Sequence, residues 1–271
     1  MKIILSHDVD HLFWSEHFFR DTFIPKLLVR SFLQVSRSQI SLKTALARCN
    51  FLADRRMNRL NELSSFLQKN HIRSTFFIGF ANGLNLSYNQ AKALEIGELL
   101  LKEGFAVGVH GIAYNDFEAI NQEKRKAQVL LDKQVNSGIR MHYLRYDQNT
   151  PELLANVNYR FDSTEYKIED PYLVKPNLWS FPISIMDTYA VKPNAKNLNW
   201  AKNYSLLLLQ EAKNKKLKYF TVNFHDVYFD DKAYSIYKNW LVWFIEYLKS
   251  EGYSFTDFDS AILELTSQMN S

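Results

Sequence analysis

The sequence predicts an α/β fold built on a parallel β-sheet, either open or closed into a barrel. Short apolar runs typical of buried strands alternate with longer amphipathic stretches typical of helices. Titratable residues gather where the apolar runs end, and five of the seven histidines lie there. Parallel α/β folds place their sites at these strand ends. The 271 residues, 46% apolar and 23% charged, suit a single domain over residues 1–271.

Eight strands and six helices are predicted from these patterns. Thr150 before Pro151 is typical of a helix start, because proline needs no hydrogen-bond partner for a backbone N–H there. The predicted strands are Lys2–Val9, Ser74–Phe80, Ala106–His110, Ile139–Tyr146, Tyr159–Ser163, Leu178–Met186, Tyr219–Val227 and Ser254–Phe258. The predicted helices are Asn58–Lys69, Gln90–Glu103, Glu118–Asn136, Pro151–Asn156, Asn203–Asn214 and Tyr234–Ser250.

A basic helical insertion is predicted after the first strand, over about residues 12–60. Nine basic and three acidic residues give this segment a net charge of +6, against +4 for the whole chain. It also carries apolar residues at helical spacing. Two interpretations stay open: a solvated face over a packed stripe, or an element that attracts an anionic substrate or a membrane surface.

Composition excludes several classes of protein. The single cysteine, Cys49, precludes an internal disulfide and a cysteine-based metal cluster. A net charge of +4 is too small to indicate nucleic-acid binding. No window has the roughly 18 apolar residues of a membrane span, and the N-terminus lacks the apolar run of a signal peptide. We therefore expect a cytoplasmic protein that binds no nucleic acid.

Asp8 and Asp10 are the first candidates for chemistry. Strand alternation puts both side chains on one side. Two carboxylates this close require a nearby cation or a raised pKa, so one acid could bind a metal while the other serves as a base. The alternative is a polar turn in which both acids accept hydrogen bonds from backbone N–H groups.

Three further residues are candidates, and two of them also have a structural alternative. His110, between glycines at a strand end, offers a neutral imidazole to a metal or acts as a hydrogen-bonded structural histidine. His225 ends an apolar strand, where it could act as a general acid. Arg140 needs a partner because burying an unpaired charge is costly. It either keeps Asp8 ionised or forms a structural salt bridge.

The order of these motifs resembles the polysaccharide deacetylases, the NodB-homology family of carbohydrate esterases. The resemblance runs from about Lys2 to Phe258, apart from the basic insertion. It implies a distorted (β/α)7-type barrel and hydrolysis of an N-acetyl, sometimes O-acetyl, group on a sugar. The motifs that carry it are Asp8-Val9-Asp10, Ser74-Thr75-Phe76-Phe77, Gly108-Val109-His110, Arg140-Met141-His142-Tyr143 and Phe224-His225-Asp226.

The resemblance also implies a role for each matched residue. Asp8 would be the general base and His225 the general acid. Asp10 and His110 would bind a divalent metal, zinc foremost.

Three residues would support that chemistry in the same family pattern. Arg140 would orient Asp8, and the backbone N–H of Tyr143 would help to hold the oxyanion. Asp187 matches more loosely and would tune His225.

The chain departs from the family pattern at one metal ligand. The family has a second histidine four residues after the first, and here that position is Tyr114, whose neutral phenol is a poor zinc ligand. Asp116 and His11 are the candidates for the third ligand. His142 stands where the family typically has proline.

The leading hypothesis is a metal-dependent carbohydrate deacetylase of surface-polysaccharide biosynthesis, whether of O-antigen, capsule or exopolysaccharide. A cytoplasmic location favours a nucleotide-linked or lipid-diphosphate-linked sugar, which residues 12–60 could attract, with peripheral contact at the inner membrane face. One alternative is a catalytically inactive barrel that binds a glycan or a partner protein. Another is a glycosidase that pairs Asp8 with a second acid.

Overall fold

A computed structural model of the chain describes residues 1–17, 21–49, 55–192 and 197–269. Within these residues it has ten strands and ten helices. The strands are β1 (Lys2–Val9), β2 (Thr75–Ile78), β3 (Ala106–Gly111), β4 (Gly138–Met141), β5 (Phe161–Asp162), β6 (Tyr172–Lys175), β7 (Leu178–Ser180), β8 (Ile183–Met186), β9 (Tyr219–Asn223) and β10 (Ser254–Thr256). The helices are α1 (Phe23–Ser36), α2 (Leu42–Arg48), α3 (Leu60–Lys69), α4 (Gln90–Lys102), α5 (Phe117–Leu131), α6 (Thr150–Asn156), α7 (Asp187–Ala190), α8 (Asn199–Asn214), α9 (Ser235–Ser250) and α10 (Phe258–Met269). Short 3-10 turns cover Trp14–Glu16, His142–Leu144 and Asp226–Tyr228.

Seven parallel strands form a distorted barrel in the order β8-β9-β1-β2-β3-β4-β5. The segment after β5 closes the ring against β8. There the Ile183 N–H donates to the Glu165 carbonyl at 2.7 Å, and the Lys167 N–H donates to the Ile183 carbonyl at 3.1 Å. The hairpin β6–β7 extends the sheet beyond β5, and β10 pairs with the start of β1. The distorted (β/α)7-type barrel expected from the sequence is therefore confirmed.

The barrel interior changes from apolar to polar along its axis. A buried cluster that includes Ile4, Phe77, Phe161, Phe181 and Phe258 fills the end where the strands begin. Phe258 comes from α10, which therefore closes this end. Towards the carboxyl ends of the strands the interior positions become polar and then titratable. A larger apolar core packs the helices onto the outside of the sheet.

Most predicted elements are confirmed, with shorter bounds for several strands. Predicted strand Leu178–Met186 is two strands, β7 and β8, because Pro182 between them has no N–H for a ladder. Predicted strand Ile139–Tyr146 ends at Met141, and a tight turn follows in which Tyr143 has a left-handed φ of 56°. This turn brings the residues after β4 over the barrel mouth.

Three elements were missed by the sequence patterns: β6, α7 and α10. Strand β6 is antiparallel to β7, and the turn between them uses Asn177 at a left-handed φ of 66°. Predicted strand Ser254–Phe258 ends as β10 at Thr256. Helix α10 begins two residues later, where the Asp257 carboxylate accepts a hydrogen bond from the Ser260 N–H at 2.7 Å.

The segment between β1 and β2 carries three helices in its described parts: α1, α2 and α3. Residues 18–20 and 50–54 of the predicted insertion lie outside the described residues. That residues 12–60 are an insertion stays a prediction. Among the helices that the structure describes, none is both long and apolar enough to cross a membrane.

Replacing Phe258 by alanine is expected to lower the free energy of unfolding by about 3–5 kcal/mol, because the ring fills the barrel end and the cavity would stay open. Urea denaturation measures the change. The matched control is Leu263→Ala on the same helix, where the side chain is 71% exposed and the expected change is within about 0.5 kcal/mol. Equal effects of the two substitutions would contradict the role given to Phe258.

Candidate active site

A cleft of about 520 Å³ opens where the barrel strands end, a volume that suits a sugar-sized ligand. Its floor comes from β1, from β3 and from the residues after β4 and β9. One wall is α1. The titratable residues on the floor are Asp8, Asp10, His110, His142 and His225.

Arg140 lies below this floor, inside the barrel, with no exposed surface. Its Nη1 donates to Asp8 Oδ1 at 2.9 Å and to Asn223 Oδ1 at 2.7 Å. Its Nη2 donates to the hydroxyls of Ser6 at 2.9 Å and Ser163 at 2.7 Å, and Nε donates to the Ser163 carbonyl at 2.7 Å. All five donors of the guanidinium are therefore satisfied.

Asp8 is held as a carboxylate by these neighbours. Its second oxygen accepts a hydrogen bond from Nδ2 of Asn223 at 2.7 Å. Burial, the largest single effect, raises the pKa of Asp8, but the Arg140 guanidinium together with His110 and His225 outweighs it and lowers the pKa to about 2. Asn223 was missed in the sequence. Its signal was a lone amide in an apolar strand, two residues before His225.

Asp10, His110 and His142 form a group of three that could hold a metal ion, with ligand atoms all within 4.8 Å of one another. Oδ1 of Asp10 lies 3.2 Å from Nε2 of His110 and 3.6 Å from Nδ1 of His142. This buried oxygen accepts no hydrogen bond from the described residues. A buried carboxylate oxygen without a donor is a position that a cation would satisfy.

The hydrogen bonds of the two imidazoles to backbone carbonyls place one proton on each ring. Nδ1 of His110 faces the Arg140 carbonyl at 3.0 Å, and Nε2 of His142 faces the Leu84 carbonyl at 3.3 Å. A carbonyl only accepts, so each of these nitrogens carries the proton. Burial lowers the pKa of His142 to about 4, so this ring is neutral at pH 7.

The two ring nitrogens that do not face a carbonyl, Nε2 of His110 and Nδ1 of His142, lie 3.0 Å apart beside Oδ1 of Asp10. Two ring nitrogens and a carboxylate oxygen that converge on one point can share a proton or hold a cation. Metal-bound histidines usually donate their other ring N–H to a backbone carbonyl or a carboxylate, as both rings do here. Two imidazoles and one carboxylate are also a ligand set that zinc takes in catalytic sites. The residues present fit a divalent metal.

The structure brings His142, rather than Asp116 or His11, to this group. Asp116 is exposed and caps α5, where Oδ1 accepts from the Ala119 N–H at 3.0 Å. Nδ1 of His11 lies 3.1 Å from Nε2 of His17, outside the group of three. The ring of Tyr114 packs under the Arg145 guanidinium at 4.3 Å. The sequence signal for His142 was its place two residues after Arg140.

His225 and Asp187 form a close pair at the opposite side of the cleft floor. The His225 N–H donates to one Asp187 oxygen at 2.6 Å, and Nδ1 lies 2.9 Å from the other. Burial, the largest single effect, lowers the pKa of His225, but the charge and hydrogen bond of Asp187 together with the charges of Asp10 and Asp8 outweigh it and raise the pKa to about 10. Nε2 points towards the carboxylates and lies 3.9 Å from Oδ2 of both Asp8 and Asp10. The loosely matched Asp187 therefore contacts His225.

Aromatic and basic side chains form the rim of the cleft. Tyr143 and Tyr189 are 63% and 53% exposed there, and the Tyr143 ring packs tilted against His142 with ring centres 4.0 Å apart. Lys26 and Arg30 of α1 also line the cleft and are exposed. Aromatic faces stack on the C–H groups of sugars, and the two cations favour an anionic ligand. The role of the Tyr143 backbone N–H at an oxyanion stays a prediction.

Comparison with known proteins identifies the fold. No protein-family model matches the sequence, and no curated protein is similar to it. Among solved structures, a protein assigned as a polysaccharide deacetylase from Mycobacterium smegmatis has a TM-score of 0.62 at 15% identity, over 99% of this chain and 91% of that one. One of the same assignment from Pseudomonas aeruginosa PAO1 has 0.59 at 13% identity, over 96% and 88%. PuuE allantoinase has 0.58 at 14% identity, over 96% and 87%.

The chain therefore has the barrel fold that these deacetylases and the allantoinase share. The resemblance to polysaccharide deacetylases found in the sequence is confirmed in the fold. The neighbours carry different activities on this one fold, so the fold alone does not give the function of this chain. The residues of the cleft decide it.

Replacing Arg140 by methionine is expected to lower the free energy of unfolding by about 3–5 kcal/mol at pH 7, because Asp8 is left as a buried unpaired charge. The pKa of Asp8 falls from 3.8 to about 2 on folding. The stabilisation is therefore full above pH 3.8 and is lost as the pH falls through 2. Urea denaturation measures the difference in free energy of unfolding between the unchanged chain and Arg140→Met, which should shrink as the pH falls from 7 to 2. Exposed Arg125→Met is the control, and a loss that does not depend on pH would contradict the pairing.

Replacing His142 by alanine is expected to lower Zn²⁺ affinity by more than about 100-fold, because one of three ligands is removed. Loss of a residue that only hydrogen-bonds to a ligand typically lowers metal affinity by about 10-fold to 100-fold. A competition titration of the metal-stripped chain against a chromogenic chelator measures the affinity. Asp116→Asn should leave it unchanged, since this carboxylate caps a helix away from the group. The opposite ranking of the two variants would identify Asp116 as the ligand.

Proposed function

We propose that the chain is a metal-dependent hydrolase that removes an acetyl group from an amino sugar or an acetylated sugar. The observation that carries the proposal is the juxtaposition of a three-ligand group with two further titratable residues, Asp8 and His225, on one cleft floor. The substrate is a carbohydrate intermediate of surface-polysaccharide assembly, as in O-antigen, capsule or exopolysaccharide. Water and the acetyl compound give acetate and a free amine or hydroxyl.

The residues that would hold the metal are Asp10, His110 and His142. A divalent ion there, Zn²⁺ by its preference for two imidazoles and a carboxylate, would polarise the acetyl carbonyl and lower the pKa of a water. The backbone carbonyls of Arg140 and Leu84 orient the two rings. The protein thus fixes the ligand geometry before any substrate arrives.

Asp8 accepts the proton of the attacking water. Arg140 and Asn223 hold its two oxygens, so the carboxylate keeps one orientation and stays ionised. Its lowered pKa keeps Asp8 ionised at pH 7, so the carboxylate is able to accept a proton. The bond between the water oxygen and the acetyl carbon forms as this proton leaves.

His225 supplies a proton to the leaving nitrogen or oxygen. Its raised pKa of about 10 keeps it protonated at pH 7, and Asp187 fixes the ring by accepting from Nδ1–H. The remaining Nε2–H faces the cleft near Asp8 and Asp10. Protonation of the leaving group completes the cleavage of the bond to the acetyl carbon.

The rim supports a sugar joined to phosphate. Tyr143 and Tyr189 offer ring faces to the sugar, and Lys26 and Arg30 offer positive charge on the same cleft. A nucleoside diphosphate and a lipid diphosphate share the anionic group that these cations would attract. Sugars linked to a nucleoside diphosphate and sugars linked to a lipid diphosphate should therefore both be assayed, near pH 7 where His225 is charged.

Acetate release from N-acetylated and O-acetylated sugars linked to either diphosphate tests the proposal. The Zn²⁺-loaded chain should release acetate, and Asp8→Asn should lower the rate by about 100-fold to 10⁴-fold, since the general base is lost. Exposed Asp132→Asn is the matched control and should keep the full rate. The Asp8→Asn chain should keep its Zn²⁺, because Asp8 lies outside the group of three.

Two outcomes would contradict the proposal. A metal-loaded chain that releases no acetate but binds the glycan would be the inactive barrel. A released sugar in place of acetate would make the chain a glycosidase. Product analysis separates these cases in one experiment.

A further inference from the structure

Helix α1 has an inverted distribution of polar and apolar side chains. Its buried residues are Ile24, Ser31 and Gln34, two of which are polar. Its outward face carries four large apolar side chains: Leu28, Val29, Phe32 and Leu33. Phe32 is the most exposed of these at 72%. A helix that only covered the barrel would bury the apolar residues and expose the polar ones.

Helix α2 adds to the same exposed apolar surface. It packs against α1 and exposes Leu42 and Leu46, each at 64%. The two helices together supply six of the nineteen exposed large apolar side chains in the described part of the chain. A concentration of this kind marks an interaction site, whereas scattered single residues do not. We refer to these six residues as the apolar face.

Basic residues adjoin the apolar face, and acidic ones are absent from this stretch of sequence. Residues 22–49 contain five basic residues and no acidic one. At roughly 3.6 residues per turn, Lys26, Arg30 and Arg37 lie on one flank of α1, between its outward face and the side towards the cleft. Arg37 and Lys43 are exposed. This part of the protein surface is therefore complementary to a partner that has an apolar interior and a negatively charged surface.

Polar contacts hold the two helices in this orientation. Nη1 of Arg48 donates to Oε1 of buried Gln34 at 2.5 Å, which joins α2 to α1. The Arg48 guanidinium also lies 4.9 Å from the ring centre of Tyr234, at the start of α9. A smaller apolar cluster of Ile24 and Met57 anchors the other end of α1. The apolar face is thus presented by a fixed part of the fold.

We infer that the apolar face docks on an anionic lipid bilayer, with its leucines and Phe32 among the acyl chains and the basic flank at the headgroups. This is the arrangement of interfacial amphipathic helices, for which apolar burial and attraction to anionic lipid add together. Charge complementarity favours this occupant over a second copy of the chain, because two copies would bring the same basic residues together.

Docking in this way places the cleft at the membrane surface. Lys26 and Arg30 of the basic flank line the cleft, together with Phe23 and Leu27 of the same helix. A diphosphate at the headgroup level would meet Lys26 and Arg30 while its sugar reached the cleft floor. If the chain is the hydrolase proposed above, docking favours a lipid-linked sugar over a nucleotide-linked sugar as its substrate. Docking itself does not require that the chain is a hydrolase.

Vesicle co-sedimentation of the full chain tests the inference. Vesicles of phosphatidylcholine with about 30% phosphatidylglycerol should bind the chain, and pure phosphatidylcholine should bind it weakly. Phe32→Ser and Leu46→Ser should each lower the apparent affinity about tenfold. Arg37→Gln should lower it about fivefold at low salt, and less at high salt. Leu263→Ser, on α10 at the opposite end of the barrel, is the matched control and should bind like the unchanged chain.

Three results would overturn the inference. They are no binding to anionic vesicles, equal binding by Phe32→Ser and Leu263→Ser, and a self-association in analytical ultracentrifugation that Phe32→Ser abolishes. Thermal unfolding of each variant confirms that the folded chain was compared. Vesicle binding needs no turnover, so it separates docking from acetate release. A chain that binds vesicles but releases no acetate would refute the proposed reaction and keep the docking surface.

Discussion

The guanidinium of Arg140 is the contact on which the barrel interior depends. It joins β1, β4, β9 and the segment after β5 through five hydrogen bonds to Asp8, Asn223, Ser6 and Ser163. A buried cation without these partners would cost several kcal/mol, so each partner is required by the others. The polar layer separates the aromatic end of the barrel from the cleft. Because the hydrogen bonds of this polar layer satisfy the buried charges, the charged cleft floor can lie directly above the apolar core.

The charges of the cleft floor follow from this arrangement. Three carboxylates, Asp8, Asp10 and Asp187, lie close to two cations, Arg140 and protonated His225. The balance is one negative charge, which a divalent ion would convert into one positive charge. A site of that balance favours binding of a carboxylate-like or oxyanionic group once the metal is present. The proposed acyl hydrolysis fits this balance, because its intermediate is an oxyanion.

The fold was largely predictable from the sequence because strand and helix patterns are local. The alternation of apolar runs indicated the parallel sheet, and the paired aspartates, His110 and His225 followed from their places at strand ends. The ends of elements were less predictable. Pro182 split one predicted strand, and the left-handed turn at Tyr143 ended another, since both effects depend on single residues within apolar runs. Asn223 was missed because its partner, Asp8, is 215 residues away in sequence.

The third member of the candidate metal group, His142, was not predictable from spacing along the chain, and the sheet explains why. His110 on β3 is in register with Arg140 on β4, so His142 leaves its strand beside the point where the chain leaves β3. A side chain after β4 can therefore reach the position that a residue after His110 would otherwise fill. Spacing within one motif, His110 to Tyr114, suggested that a ligand was missing. Neighbouring parallel strands deliver side chains to the same edge, so a group of candidate ligands can be completed from the loop after the next strand without change to the barrel.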